Sequence, residues 1–117
     1  MLAHGSVLTS RFFEPEALRA IVADHRNAGL DEVDVAVMDL AEKVASDATA
    51  VTQDDIDRLR ELGLSDPEIL DVVLAAAVRC FYSKTLDALG VQPDAAYSDL
   101  APALRAALTV GRPVEGT

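Results

Sequence analysis

The chain has 117 residues, half of them apolar, with 20 acids against 10 lysines and arginines and a formal charge of −10. That balance argues against a nucleic-acid binder, whose affinity comes from cations neutralising phosphates, and disfavours docking on an anionic membrane surface. Three Phe, two Tyr and no Trp leave a core of Ala, Val, Leu and Ile, which suits close helix packing. Cys80 is the single cysteine, so neither an intrachain disulfide, a CxxC redox pair nor a thiolate zinc centre can form within the chain.

In chain order, the opening MLAHGSVLTSRFF carries Leu2, Val7, Leu8, Phe12 and Phe13 at roughly helical spacing and predicts a helix over 2–13. It begins without a cap, as if a helix were entered in its middle, and it holds His4. No basic segment followed by an apolar run is found at this end, so no signal peptide is expected. A second helix is predicted over 15–28, closed by Gly29. Leu30-Asp31-Glu32-Val33-Asp34-Val35 then starts a third, over 32–47, with Asp31 as its cap.

The same punctuation recurs at Val51-Thr52-Gln53-Asp54-Asp55-Ile56, opening a helix over 53–62. Leu64-Ser65-Asp66-Pro67-Glu68-Ile69 is its fullest form: Ser65 caps, Glu68 reaches back, and Leu64 staples to Ile69. Gly63 and Gly90 can take the left-handed conformation that ends a helix. The short connection at Gly63-Leu64 predicts that 53–62 and 66–89 form a helical hairpin. A short turn is expected at 94–99, and Pro102 sits at the first turn of a last helix over 102–109. Nothing alternates with period two, so no sheet is expected. The expectation is an all-α bundle of about six helices in one domain over 1–112, with a frayed tail over 113–117.

The helix over 66–89 is the centrepiece, with a length of about 36 Å. From Ile69 to Val78 its only charge is Asp71. A helix apolar on nearly every side must be buried on nearly every side, and five short helices offer too little cover. A second copy is therefore expected to supply part of it, giving a homo-oligomer. The longest apolar run, 72–78, falls far short of the ~20 residues needed to span a bilayer. A soluble, cytoplasmic protein is expected.

Few residues suggest chemistry. Cys80 and Lys84 lie one turn apart on the long helix, with Asp87 three residues on, so an ammonium could favour the thiolate. The plainer account makes Cys80 a small buried hydrophobe and pairs Lys84 with Asp87. Arg79, beside Ser83 on an otherwise apolar helix, needs a carboxylate or a wet cleft: a structural ion pair on one account, a substrate anchor on the other. His4 and His25 have no metal-ligand spacing, so no metal is expected. From the residues alone each reads as a helix-surface histidine, with His25 facing solvent. Asp54/Arg58 and Asp57/Glu61 read as a solvated face. There is no GxGxxG and no GxSxG.

Two stretches together resemble the alkylhydroperoxidase D-like proteins of the carboxymuconolactone decarboxylase superfamily. One is VTQDDIDRLRELGLSDPEILDVVLAAAVRCFYSKTLDALGVQPD, which resembles their C-terminal half through "LRELGLSDPEILDVV", the long apolar helix and the "LDALGVQPD" exit. The other is Leu2-Ala3-His4-Gly5, which resembles the end of their redox motif, where a His follows the second Cys of a CxxC pair by four residues. The resemblance covers about residues 1–100. It implies an all-helical fold assembling as dimers, trimers or hexamers, and a peroxidase-related, antioxidant oxidoreductase that needs no cofactor and draws on a thiol reductant protein as partner. In such enzymes one thiolate attacks the hydroperoxide oxygen and the other resolves the sulfenic acid to a disulfide. The His and an upstream Glu relay protons.

If His4 matches that His, a remnant of the proton relay, the second cysteine belongs just before Met1, and the first cysteine and the Glu lie further upstream. Cys80 is at no motif position. The expectation is either a start assigned too late or a truncated relative, without dithiol activity in this form. Arg79, Cys80 and Lys84 remain the candidate binding residues. The competing reading is a non-enzymatic helical oligomer that binds a small apolar ligand or a partner helix between its subunits.

Overall fold

A computed structural model of the chain describes residues 1–116. The described residues contain six α-helices and no strand: α1 (Leu2–Arg11), α2 (Pro15–Ala23), α3 (Glu32–Asp47), α4 (Gln53–Glu61), α5 (Asp66–Ala88) and α6 (Pro102–Leu108). Three short 3₁₀ turns, at His25–Asn27, Ala48–Ala50 and Ala95–Asp99, lie between them. The all-α expectation and its six helices hold.

Local chemistry sets the ends. The Asp31 carboxylate accepts from the Asp34 backbone N–H at 2.8 Å and starts α3. At α4, the Asp55 carboxylate accepts from both the N–H (2.8 Å) and the hydroxyl (3.1 Å) of Thr52. Ser65 and Glu68 close a reciprocal box on α5: the Ser65 N–H donates to Glu68 at 2.7 Å and the Glu68 N–H donates to the Ser65 hydroxyl at 3.3 Å. Gly63, at φ 101°, turns the chain out of α4, and the Leu64 N–H donates back to the Leu59 carbonyl at 3.0 Å.

α2 ends earlier than its apolar spacing suggests. Asp24 accepts from the Arg26 N–H (3.1 Å) and from the Asn27 side-chain amide (2.6 Å), which turns the chain into a 3₁₀ turn. This competition from a short polar side chain outweighs continued helix. Asp47 acts in the same way on the Thr49 N–H at 3.1 Å, after α3.

The chain divides into two compact units, Met1–Gly29 with the chain from Leu86 onward, and Leu30–Thr85. In the first, α1, α2 and α6 pack on one another around Leu2, Leu18, Leu104, Leu108 and Val114. Gly5 is buried, and a Cβ there would collide with the Leu108 side chain. Val114 is 1% exposed, so the segment expected to fray from residue 113 is anchored through that side chain.

In the second unit, α3 and α4 pack together, and Ala36, Leu40, Leu59 and Ile69 form a core lined by Val37, Val44, Val51, Ile56, Leu62, Leu64, Val72 and Val73. Two ion pairs tie α3 to α4: Lys43 to Asp55 at 2.8 Å and Arg58 to Asp39 at 3.8 Å. Arg58 thus reaches across to α3 instead of along its own helix to Asp54. Arg60 bridges Asp57 at 2.9 Å and Asp66 at 2.7 Å, across the Gly63 turn.

Two expectations need correction. The helices joined at Gly63 do not lie side by side as a hairpin; α4 runs against α3. Nor is the long helix buried within its own chain. Ile69 is the one buried residue of α5, with Val72 and Val73 half-covered beside it. Beyond Val73, its residues are exposed except for half-covered Ala76, Cys80 and Leu86.

Truncating Leu59, 1% exposed at the centre of the second core, should cost about 2–5 kcal/mol of stability in urea unfolding. An effect within the ~0.5 kcal/mol typical of surface sites would contradict that core. The Lys43 ammonium and the Thr52 N–H hold the Asp55 carboxyl below its ordinary 3.8. Arg60 lowers Asp66 likewise, and Ser65 lowers Glu68 from 4.5. Their contribution is complete above those ordinary values and is lost as pH falls through the lower folded ones. The melting temperature should therefore fall on acidification below about pH 4, and less so in Asp55→Asn.

Candidate functional site

The sequence candidates fall on two helices. His4 lies in the first turn of α1, exposed, in the first unit. Arg79, Cys80 and Lys84 lie together on α5, in the second unit. His25 lies in a 3₁₀ turn and is half-buried, not solvent-facing.

On α5 the backbone is continuous helix through this region, so the Ser83 hydroxyl donates to the Cys80 carbonyl at 3.3 Å and the Thr85 hydroxyl to the Phe81 carbonyl at 2.7 Å. Both bonds run along the helix and reach no external group. Cys80 is half-buried, as a small apolar residue would be. Lys84 is exposed one turn on. Asp87 is engaged elsewhere: Arg112 donates to its backbone carbonyl at 2.8 Å and stands 3.9 Å from its carboxylate. The Lys84–Asp87 pairing is therefore replaced by Arg112–Asp87. The Arg79 guanidinium lies over the Tyr82 ring, 5.3 Å from its centre, a cation–π contact that brings the charge toward the neighbouring side of the helix.

What dominates α5 is apolar. Leu70, Leu74 and Val78 are 55%, 55% and 56% exposed, and Phe81 and Tyr82 are 70% and 52% exposed. Leu70, Leu74, Ala77, Val78 and Phe81 lie within roughly 60° of one another's centre line around a helix of 3.6 residues per turn. They form one continuous stripe. Opposite it, Ile69, Val72, Val73 and Ala76 face the core or its edge. A single exposed Leu is unremarkable, but a row of this kind makes this face the candidate interaction surface.

The signal for this surface was present in the spacing of Leu70, Leu74, Val78 and Phe81. It was obscured because the Ala75–Ala77 run fills the remaining positions and makes the whole helix read as apolar. No family model, curated protein or solved structure matches the chain.

The native thiol should alkylate with iodoacetamide more slowly than in the unfolded chain, since Cys80 is half-covered. Lys84→Ala should change the native rate by less than about threefold by mass spectrometry. A tenfold fall would show that the ammonium activates the thiol.

Proposed function

We propose that this chain is a self-associating helical module of the alkylhydroperoxidase D-like kind, related to thiol peroxidases but carrying no dithiol centre in the sequence given. The observation that carries the self-associating part is the exposed apolar row on α5 from Leu70 to Phe81. The related stretch from Val51 to Asp94 corresponds here to α4, the Gly63 turn and α5, an arrangement in keeping with that kinship. His4, itself exposed in the first turn of α1, is the residue that resembles the relay histidine of that family. Cys80 lies on α5, in the other unit from His4, and is assigned no redox role.

The non-enzymatic reading, an oligomer that binds an apolar ligand or partner helix between subunits, draws on the same row. It would take precedence were the thiols never part of the protein. The reading frame upstream of Met1 separates the two. The peroxidase kinship calls for an in-frame Cys immediately before Met1 and a further Cys or Ser three residues earlier.

The 117-residue chain, given cumene hydroperoxide and dithiothreitol, should consume no peroxide above the uncatalysed rate, and Cys80→Ser should not alter that. Robust turnover would overturn the assignment of inactivity. Light scattering should give a mass above the 12.4 kDa of one chain at micromolar concentration; a clean monomer would remove the self-association.

A further inference from the structure

We infer that two copies of the chain pair through α5 in antiparallel orientation, about a two-fold axis passing near Ala75. This rests on the proposed self-association and adds its geometry: which occupant covers the row, in which direction and in what register.

The argument is the placement of charge along and around the helix. Three of its four acids, Asp66, Glu68 and Asp71, occupy its first half and both its cations, Arg79 and Lys84, its second; the fourth acid, Asp87, also in the second half, faces Arg112 of its own chain. Around the helix, Leu74 marks the middle of the apolar row. Asp71 and Glu68 lie on one flank, the side toward which Arg79 leans over Tyr82. Asp66 and Lys84 both lie on the other flank, roughly 80° from Leu74 at 3.6 residues per turn. Asp66 keeps 69% of its side chain exposed while accepting from Arg60.

A two-fold axis perpendicular to both helices brings each flank against the same flank of the other copy. With the axis near Ala75, Asp71 lies level with Arg79 of the second copy, and Asp66 with its Lys84. The same register sets Leu70 against Phe81 and Leu74 against Ala77 and Val78, large beside small along the seam. The helix dipoles oppose one another as well.

A parallel pair does the reverse. It sets residues of equal number side by side, so the three acids of one copy meet those of the other, as do the cations. Like charges in contact oppose that arrangement. The apolar row alone suits either direction; the charges choose between them.

Cross-linking in a Cys80→Ser background tests the orientation. In the antiparallel pair two copies of residue 74 are offset by about 3 Å along the helices, within reach of a disulfide, whereas two copies of residue 85 are offset by roughly 30 Å. Leu74→Cys should therefore form a covalent dimer on oxidation with copper phenanthroline, and Thr85→Cys should not. Cross-linking of Thr85→Cys in a dimeric protein would overturn the antiparallel register while leaving self-association intact. Failure of both variants to cross-link, with a 12.4 kDa mass in solution, would overturn both, leaving the row to another occupant.

A charge exchange provides the second measurement. Asp71→Lys and Arg79→Asp should each raise the dimer dissociation constant about fivefold or more by sedimentation, and the double variant should return it to within about twofold. A double variant no tighter than the singles would overturn the pairing.

Discussion

The constraint from which the rest follows is the one-sided burial of α5. This 23-residue helix, about 34 Å long, packs on its own chain mainly through Ile69, Val72 and Val73. Its other face carries Leu70, Leu74, Val78 and Phe81 in the open. A soluble helix ordinarily presents its polar residues to water and its apolar ones to a core. Here a second apolar face remains after the core is complete. Burial of apolar area is the main favourable term in association, so an exposed row of this kind favours association.

Leu2, Leu18, Leu104, Leu108 and Val114 are occupied with one another, and Ala36, Leu40, Leu59 and Ile69 with one another. Each is a small core of short aliphatic side chains. α4, the neighbour that a short connection might have laid along α5, is held instead on α3 by Leu59 and by the Lys43–Asp55 and Arg58–Asp39 pairs. The Arg60 bridge from Asp57 to Asp66 then fixes the turn from which α5 departs. The ionic contacts are exposed and contribute modestly to stability. Their consequence is geometric: they hold α4 along α3, so that α4 shares a core with only the first turns of α5, around Ile69, Val72 and Val73.

Much of this fold could be read from sequence, because the helix ends rest on short-range chemistry. Asp31, Asp55 with Thr52, and Ser65 with Glu68 act within a few residues, and Gly63 and Gly90 adopt the positive φ that stops a helix. Less legible were features that depend on distant chain. Val114 is buried because α1, α2 and α6 offer it a place, and nothing in the tail itself announces that. α2 stops at Ala23 because Asp24 finds two donors beyond it, a choice that apolar periodicity does not register. The hairpin of α4 with α5 was misjudged for a related reason: an apolar face shows what must be hidden, but not which element hides it. The site was legible only in part. Arg79, Cys80 and Lys84 share one stretch of helix as expected, yet Asp87 belongs to Arg112, and the larger surface is the row beside them.

The central proposal is that the α5 row is covered by association. Amide hydrogen exchange as a function of protein concentration tests this most directly, since backbone protection in a helix depends on the contacts that hold it. Amides from Leu74 to Thr85 should gain protection as concentration rises, while those around Leu40 and Leu59 stay constant. Exchange over 74–85 that is identical from nanomolar to high micromolar protein would contradict the account.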